Sequence, residues 1–208
     1  GLAAISDFAD SPARFARDVL HFAPHPWQEL VLSEQGRRLL LLCCRQAGKS
    51  ITTASAAIHL AATKARCRVV VVAPGARQSR LFVERCATML RDSLLWRDVD
   101  IQQTQIKFAN GSIIRAFPGN PDTIRGESAD LLILDEAAMM TDELFTAIMP
   151  MIAATAGKVV ILSTPKGQRG FFYRLWSESD NGWTKIRVTA DDAPSLSEEE
   201  ISRLKAEL

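Results

Sequence analysis

Four short stretches of this chain are apolar at nearly every position: residues 39–44, 68–73, 131–134 and 158–162. Strands of that kind are buried on both faces, the signature of a mostly parallel sheet covered by helices on either side. Between them the spacing becomes helical. Residues 49–62 are rich in Ala, Thr, Ile and Leu, and 78–91 set Leu81, Phe82, Arg85, Met89 and Leu90 on or beside one face. Further helices are expected over 142–149, where Pro150 bends or ends the run, and over 170–176. Residues 183–189 alternate like a strand.

Ahead of the first strand, Ser11 as N-cap and Pro12 in the first helical position open a short helix over 11–20. Pro24-His25-Pro26 breaks the chain before a second helix over 27–33. Asn110-Gly111 between 101–109 and 112–117 is a hairpin signal, and 118–129 reads as a loop. Ser197 and Glu200 hold the paired positions of a capping box for a last helix running to 208. The fold class that follows is α/β, with a mostly parallel sheet, helices on both faces and an antiparallel hairpin extension around Asn110-Gly111.

Composition narrows the partners. The 208 residues carry a formal net charge of +1, where a chain that grips nucleic acid with a whole basic face is usually more lopsided, so such contacts are expected from local clusters or from several copies acting together. Arg66, Arg68, Arg77, Arg80 and Arg85 supply local charge, each equally readable as part of a solvated face. Cys43, Cys44, Cys67 and Cys86 lack zinc-ligand spacing, so reduced buried thiols in a reducing compartment are expected. No apolar run is long enough to span a bilayer, and no membrane partner is expected.

The chemistry sits at strand ends, where open α/β sheets bind ligands. Residues 43–50, Cys-Cys-Arg-Gln-Ala-Gly-Lys-Ser, follow the first buried strand and enter a helix. They match the second half of the phosphate-loop pattern G-x-x-x-x-G-K-[ST], with Cys43 in place of its first glycine. Gly48 permits close backbone approach to an anion. The N–H groups of the stretch containing Gln46, Ala47, Gly48 and Ile51 face phosphates, as they do at a helix start. Lys49 reaches the β- and γ-phosphates, and the Ser50 hydroxyl ligates Mg²⁺. Arg45 within the loop can stabilise charge developing on the γ-phosphoryl oxygens.

The third apolar run ends in Asp135-Glu136. Asp135 is suited to the Mg²⁺ shell and Glu136 to activating the attacking water as general base. The cofactors expected are therefore ATP and Mg²⁺. Ser163-Thr164-Pro165 ends the fourth run; its hydroxyls could sense the γ-phosphate, or the tripeptide could be an ordinary turn. Gln28 could read the edge of adenine or lie on a helix surface.

Together these residues resemble the terminase large subunits, the DNA-packaging motors of tailed bacteriophages. Arg45 to Ser50 looks like the variant phosphate loop of that family, which commonly lacks the first glycine. Pro26-Trp27-Gln28 is similar to its adenine-binding segment. Asn110-Gly111-Ser112 with Thr123-Ile124-Arg125-Gly126 resembles its hairpin and following loop, Leu132 to Ala137 its acidic motif, and Ser163-Thr164-Pro165 with Gly167 its coupling motif.

The resemblance implies an ATPase that drives double-stranded DNA into a procapsid in the host cytoplasm, with a portal protein and a small terminase subunit as partners. It implies a P-loop fold and a ring, commonly of five, in which an arginine acts on the neighbour's ATP. Arg77, Arg80 and Arg125 are the candidates. It also implies an ATPase domain over 1–190, whose first 36 residues are helical and carry the adenine element, and a lid or linker over 191–208 toward a nuclease domain. A helicase-type translocase and a nucleotide-dependent assembly module are the alternatives, the second needing no general base.

Overall fold

The computed structural model describes residues 2–153 and 155–193. The capping box at Ser197 and the helix expected after it lie outside these residues.

After a 3₁₀ turn at Leu2–Phe8, α1 (Pro12–Asp18) and α2 (Pro26–Ser33) lead into β1 (Arg38–Cys43). Then follow α3 (Lys49–Thr63), β2 (Arg68–Ala73) and α4 (Ala76–Arg91). β3 (Val99–Ile101), β4 (Gln105–Phe108) and β5 (Ile113–Pro118) precede the short α5 (Pro121–Ile124). β6 (Leu131–Asp135), α6 (Asp142–Ile148), β7 (Lys158–Ser163), α7 (Gly170–Ser177) and β8 (Thr184–Val188) complete the order.

Among the described residues the strands form one eight-stranded sheet, in the order β3-β4-β5-β2-β6-β7-β1-β8. Every pairing from β5 to β8 is parallel, while β3–β4 and β4–β5 are antiparallel.

The continuous apolar runs have a direct cause. Successive side chains of a strand point to opposite faces. Leu39, Leu41, Val69, Val71, Leu131 and Ile133 enter one core with α3 and α4. Leu40, Val70, Val72, Leu132 and Leu134 enter the other, with residues of α6 and α7. Neither face of the central strands can be polar without burying an unpaired group.

The hairpin also caps a helix. The Asn110 side chain donates to the carbonyls of Ala61 and Ala62, at 2.9 and 3.1 Å, and accepts from the Ser112 N–H. Those carbonyls belong to the last turn of α3, which has no intrahelical donors for them. Gly111 takes φ +84°, the left-handed geometry a tight hairpin turn requires.

Several expectations are corrected. The run 101–109 is two strands, β3 and β4, because exposed Gln102, Gln103 and Thr104 form a turn in which the Gln102 N–H reaches the Gln105 carbonyl. The loop 118–129 contains α5, capped by the Asn120 side chain accepting from the Asp122 N–H. The first helix stops at Asp18, and His21 turns to positive φ. The expected end of α6 at Pro150 is met: the helix gives way at Ile148 to a 3₁₀ turn carrying Pro150, which has no N–H to continue an α-helix. The four cysteines are free thiols, but Cys44 is only half-buried, its Sγ donating to the Thr189 carbonyl at 3.3 Å. Among the described residues no helix is long and apolar enough to cross a membrane.

Candidate nucleotide site

β1, β6 and β7 are neighbours or next neighbours in the sheet and run parallel, so their carboxyl ends meet at one edge. β1 ends at Cys43, and the chain loops to the start of α3 at Lys49. Within the loop Gln46 and Gly48 adopt positive φ, +59° and +89°, so the backbone curls instead of extending. Such left-handed residues build anion-binding concavities. Cys43 is fully buried, and burial pushes its thiol up to about 12, leaving it neutral. It serves as a core residue at the position where the motif ordinarily has glycine.

The tip of β6 stands directly opposite. The Lys49 Nζ lies 2.7 Å from Glu136 Oε1. Glu136 itself adopts φ +55°, ψ +44°, left-handed geometry that a side-chain-bearing residue holds only at a cost of about 1–3 kcal/mol. Its other oxygen accepts from Thr164 Oγ1 at 3.2 Å and from the Thr164 N–H at 3.4 Å. Ser163 Oγ accepts from the Ala138 N–H at 3.1 Å, tying the end of β7 to the turn after β6.

The two carboxylates are tuned in opposite directions. Burial pushes Glu136 up, but Lys49 and the Thr164 donors outweigh it and hold the group below the ordinary carboxylate range. Burial raises Asp135, and the nearby Lys49 offsets this only in part. Asp135 Oδ1 is buried with no hydrogen-bond partner among the described residues. An orphaned buried carboxylate oxygen at the strand tip that meets the phosphate loop fits a hard cation, which prefers oxygen ligands and shares them with phosphate. The residues suited to that cation are thus Asp135 and Ser50.

Gln28 is buried at the other side of the loop. Its Oε1 accepts from the His25 N–H at 2.8 Å, and its Nε2 donates to the Gly48 carbonyl at 3.4 Å. In this state its amide ties α2 to the phosphate loop and is not held open for a base.

A cavity of about 330 Å³ lies in the loop, lined by residues 46–51 and by Arg85 of α4. The structure therefore gathers Gln46, Ala47, Gly48, Lys49, Ser50, Ile51, Asp135, Glu136, Ser163 and Thr164 around one edge of the sheet. Arg45 is exposed and does not line the cavity. Arg77 and Arg125 are exposed, Arg80 is half-buried, and all three stand outside the cavity. Arg85 carried no signal in sequence beyond its charge, because its place depends on how α4 packs beside α3.

Comparison with known proteins agrees with this geometry. The family described as terminase large subunit, T4likevirus-type, N-terminal, matches residues 40–207. The terminase large subunit of Thermus phage G20c is 25% identical over 176 residues, covering 74% of this chain and 36% of its own length. This chain thus spans about a third of that relative. Among solved structures, the large terminase ATPase domain of Thermus phage P74-26 superposes with a TM-score of 0.81 at 21% identity, covering 94% of this chain and 91% of its own. The large terminase of a thermophilic bacteriophage, in complex with ATP-gamma-S, gives 0.69 at 18% identity, covering 87% and 48%. The curled phosphate loop, the acidic strand tip, the sheet order and the family match point one way: this chain belongs to the terminase large subunits, and what it contains is their N-terminal domain.

Proposed function

We propose that this chain is the ATP-hydrolysing motor domain of a terminase large subunit, powering translocation of double-stranded DNA into a procapsid in the host cytoplasm. Its partners are the portal protein, the small terminase subunit and further copies of itself in a ring of about five. The observation that carries the reading is the 2.7 Å approach of Lys49 to Glu136, which brings the phosphate loop and the acidic strand tip to one point. The nucleotide analogue bound by the thermophilic-phage terminase supports ATP as the ligand. The family match favours a terminase over a helicase-type translocase.

The residues define a sequence of events. Lys49 is neutralised by Glu136 before nucleotide binds. A triphosphate offers several anionic oxygens and competes for that ammonium with more charge than one carboxylate carries. When Lys49 turns to the β- and γ-phosphates, Glu136 loses its partner but keeps Thr164. Its freed Oε1 can then accept a proton from a water aligned with the γ-phosphoryl group. Asp135 and Ser50 would hold Mg²⁺, which when bound would supply charge neutralisation to the phosphates.

Thr164 opens an exposed stretch, 165–170, that leads into α7. The start of α7 is held by Asp142, which accepts from the Phe171 N–H at 2.7 Å and pairs with Arg174 at 2.6 Å. Movement of Glu136 is in this way coupled to the segment after β7, and through it to DNA. A module that only bound nucleotide would need Asp135 but not Glu136.

The test is a pair of substitutions. Glu136→Gln should retain ATP binding and lower steady-state turnover by about 10²–10⁴-fold, the usual weight of a general base. Lys49→Ala should lose both. Undiminished turnover in Glu136→Gln would remove the assignment of the base.

A further inference from the structure

We propose that Arg85, from the middle of α4, is a phosphate-binding residue that contacts the terminal phosphate of the bound nucleotide from within the same subunit. The inference rests on the nucleotide reading of the site. It deepens that reading by adding a cation from outside the phosphate loop.

The cavity in the loop carries the argument. Residues 46–51 form its floor, and the remaining side chain lining it is Arg85. Helix geometry explains how it gets there. α4 buries Ser79, Phe82, Val83, Cys86, Ala87, Met89 and Leu90. At 3.6 residues per turn, Arg85 stands on one shoulder of that buried face, about 140° round the helix from Arg80. α4 packs beside α3, whose first turn is the end of the phosphate loop, so this shoulder faces the cradle. Arg77, Arg80 and Arg91 lie toward the other shoulder or the outer face.

The cavity sets Arg85 beside Lys49 and Ser50, the residues suited to the terminal phosphates and their cation. Lys49 marks the γ-phosphate end of the site, whereas Gln28, which donates to the Gly48 carbonyl, does not line the cavity. A guanidinium is permanently charged and offers a planar fork of donors matched to phosphate oxygens. Arg45, the loop's own arginine, is exposed and outside the cavity. Arg85 thus has the geometry for a cis contact that the sequence pattern assigned to Arg45.

The experiment measures binding without DNA and without turnover. Affinities for ATP-γ-S and ADP, each with Mg²⁺, are compared by calorimetry in the unmodified chain, Arg85→Ala, Arg85→Lys and Lys49→Ala. Arg85→Ala should weaken ATP-γ-S about ten- to hundredfold, the weight of a lost charge-assisted hydrogen bond, and ADP much less. Arg85→Lys should fall between, since an ammonium keeps charge but loses the fork. The melting temperature should not move, because the side chain is exposed. Equal affinities in Arg85→Ala and the unmodified chain, or equal weakening of both nucleotides, would overturn the assignment. If the unmodified chain bound neither nucleotide, the nucleotide reading itself would fall; if it bound both and only Lys49→Ala lost them, the failure would belong to Arg85 alone.

Discussion

Gly48 meets two constraints at once, and they are separable. Its φ of +89° lies in the left-handed region, which costs a residue with a Cβ about 1–2 kcal/mol. A Cβ there would also stand 2.8 Å from Gln28 Nε2. Gln28 is a flexible residue by type but not by setting. It is buried, and its Oε1 is held by the His25 N–H. Gly48→Ala should therefore lose about 2 kcal/mol or more of stability and weaken ATP binding as well. Adding Gln28→Ala removes the collision but leaves the strain, so the double variant should be weakened less than the two single effects added together. Urea unfolding midpoints and nucleotide affinities of the four proteins check this. A Gly48→Ala chain as stable as the unmodified one would show that the loop relaxes without cost.

At the scale of elements, α3 is the helix that joins the nucleotide end of the domain to its opposite edge. It starts at Lys49, ends under the Asn110 cap, and buries Thr52, Thr53, Ser55 and His59. His59 pins the N-terminal segment onto it. Nε2 lies 2.9 Å from the Phe8 carbonyl, and the ring meets Phe15 edge-on at 5.1 Å. Burial lowers the His59 pKa below its ordinary 6.5, outweighing the carbonyls of Phe8 and Ala9 and the more distant Asp10. The sign of the pH effect follows from proton counting. Below about pH 6.5 the unfolded chain binds a proton at this histidine that the folded chain resists, so this contribution is complete above that pH and is lost as the pH falls toward the folded value. Urea midpoints should drop between about pH 7.5 and 5.5, and His59→Gln should flatten that drop. An equal drop in His59→Gln would assign the effect to other groups. The same helix shows what could be read without coordinates. Its start was legible because Gly-Lys-Ser after an apolar run has a chemical reason to open a helix, and the acidic strand was legible for a like reason. Its partners were not. Asn110 reads as a turn residue in sequence, yet it also closes the last turn of α3, and that role depends on distant packing. The break between β3 and β4 was missed because Gln102, Gln103 and Thr104 carry no glycine or proline to mark a turn. Arg85 was visible only as one charge among several, because the shoulder a helix turns toward a neighbour is decided by tertiary packing.

For the whole molecule, the proposed ring turns on how one copy would act on another's nucleotide. The cavity is served from within by Lys49 and, on our inference, by Arg85. Arg77 and Arg80 lie on α4 away from the cavity, and the Arg125 side chain is 71% exposed, held by a 3.8 Å approach to Asp122. An exposed surface ion pair of that kind contributes little, so Arg125 is available to a neighbour at small cost. An arginine supplied in trans can raise phosphoryl-transfer rates by about 10³–10⁵-fold. The chain should therefore hydrolyse ATP slowly when dilute and monomeric, with turnover per subunit rising as copies associate. Mixing identifies the donor. A chain carrying Lys49→Ala cannot use its own nucleotide but keeps its arginines, while a chain carrying alanine at the trans arginine keeps its site but cannot activate a neighbour. Each should be nearly inactive alone, and a mixture should recover part of the rate, because some interfaces pair an intact site with an intact arginine. If alanine at only one of Arg77, Arg80 and Arg125 gives a chain that is inactive alone and rescued in the mixture, that residue is the donor. Full turnover by a demonstrably monomeric sample would leave nothing for a neighbour to add, and the trans contact would have to be abandoned.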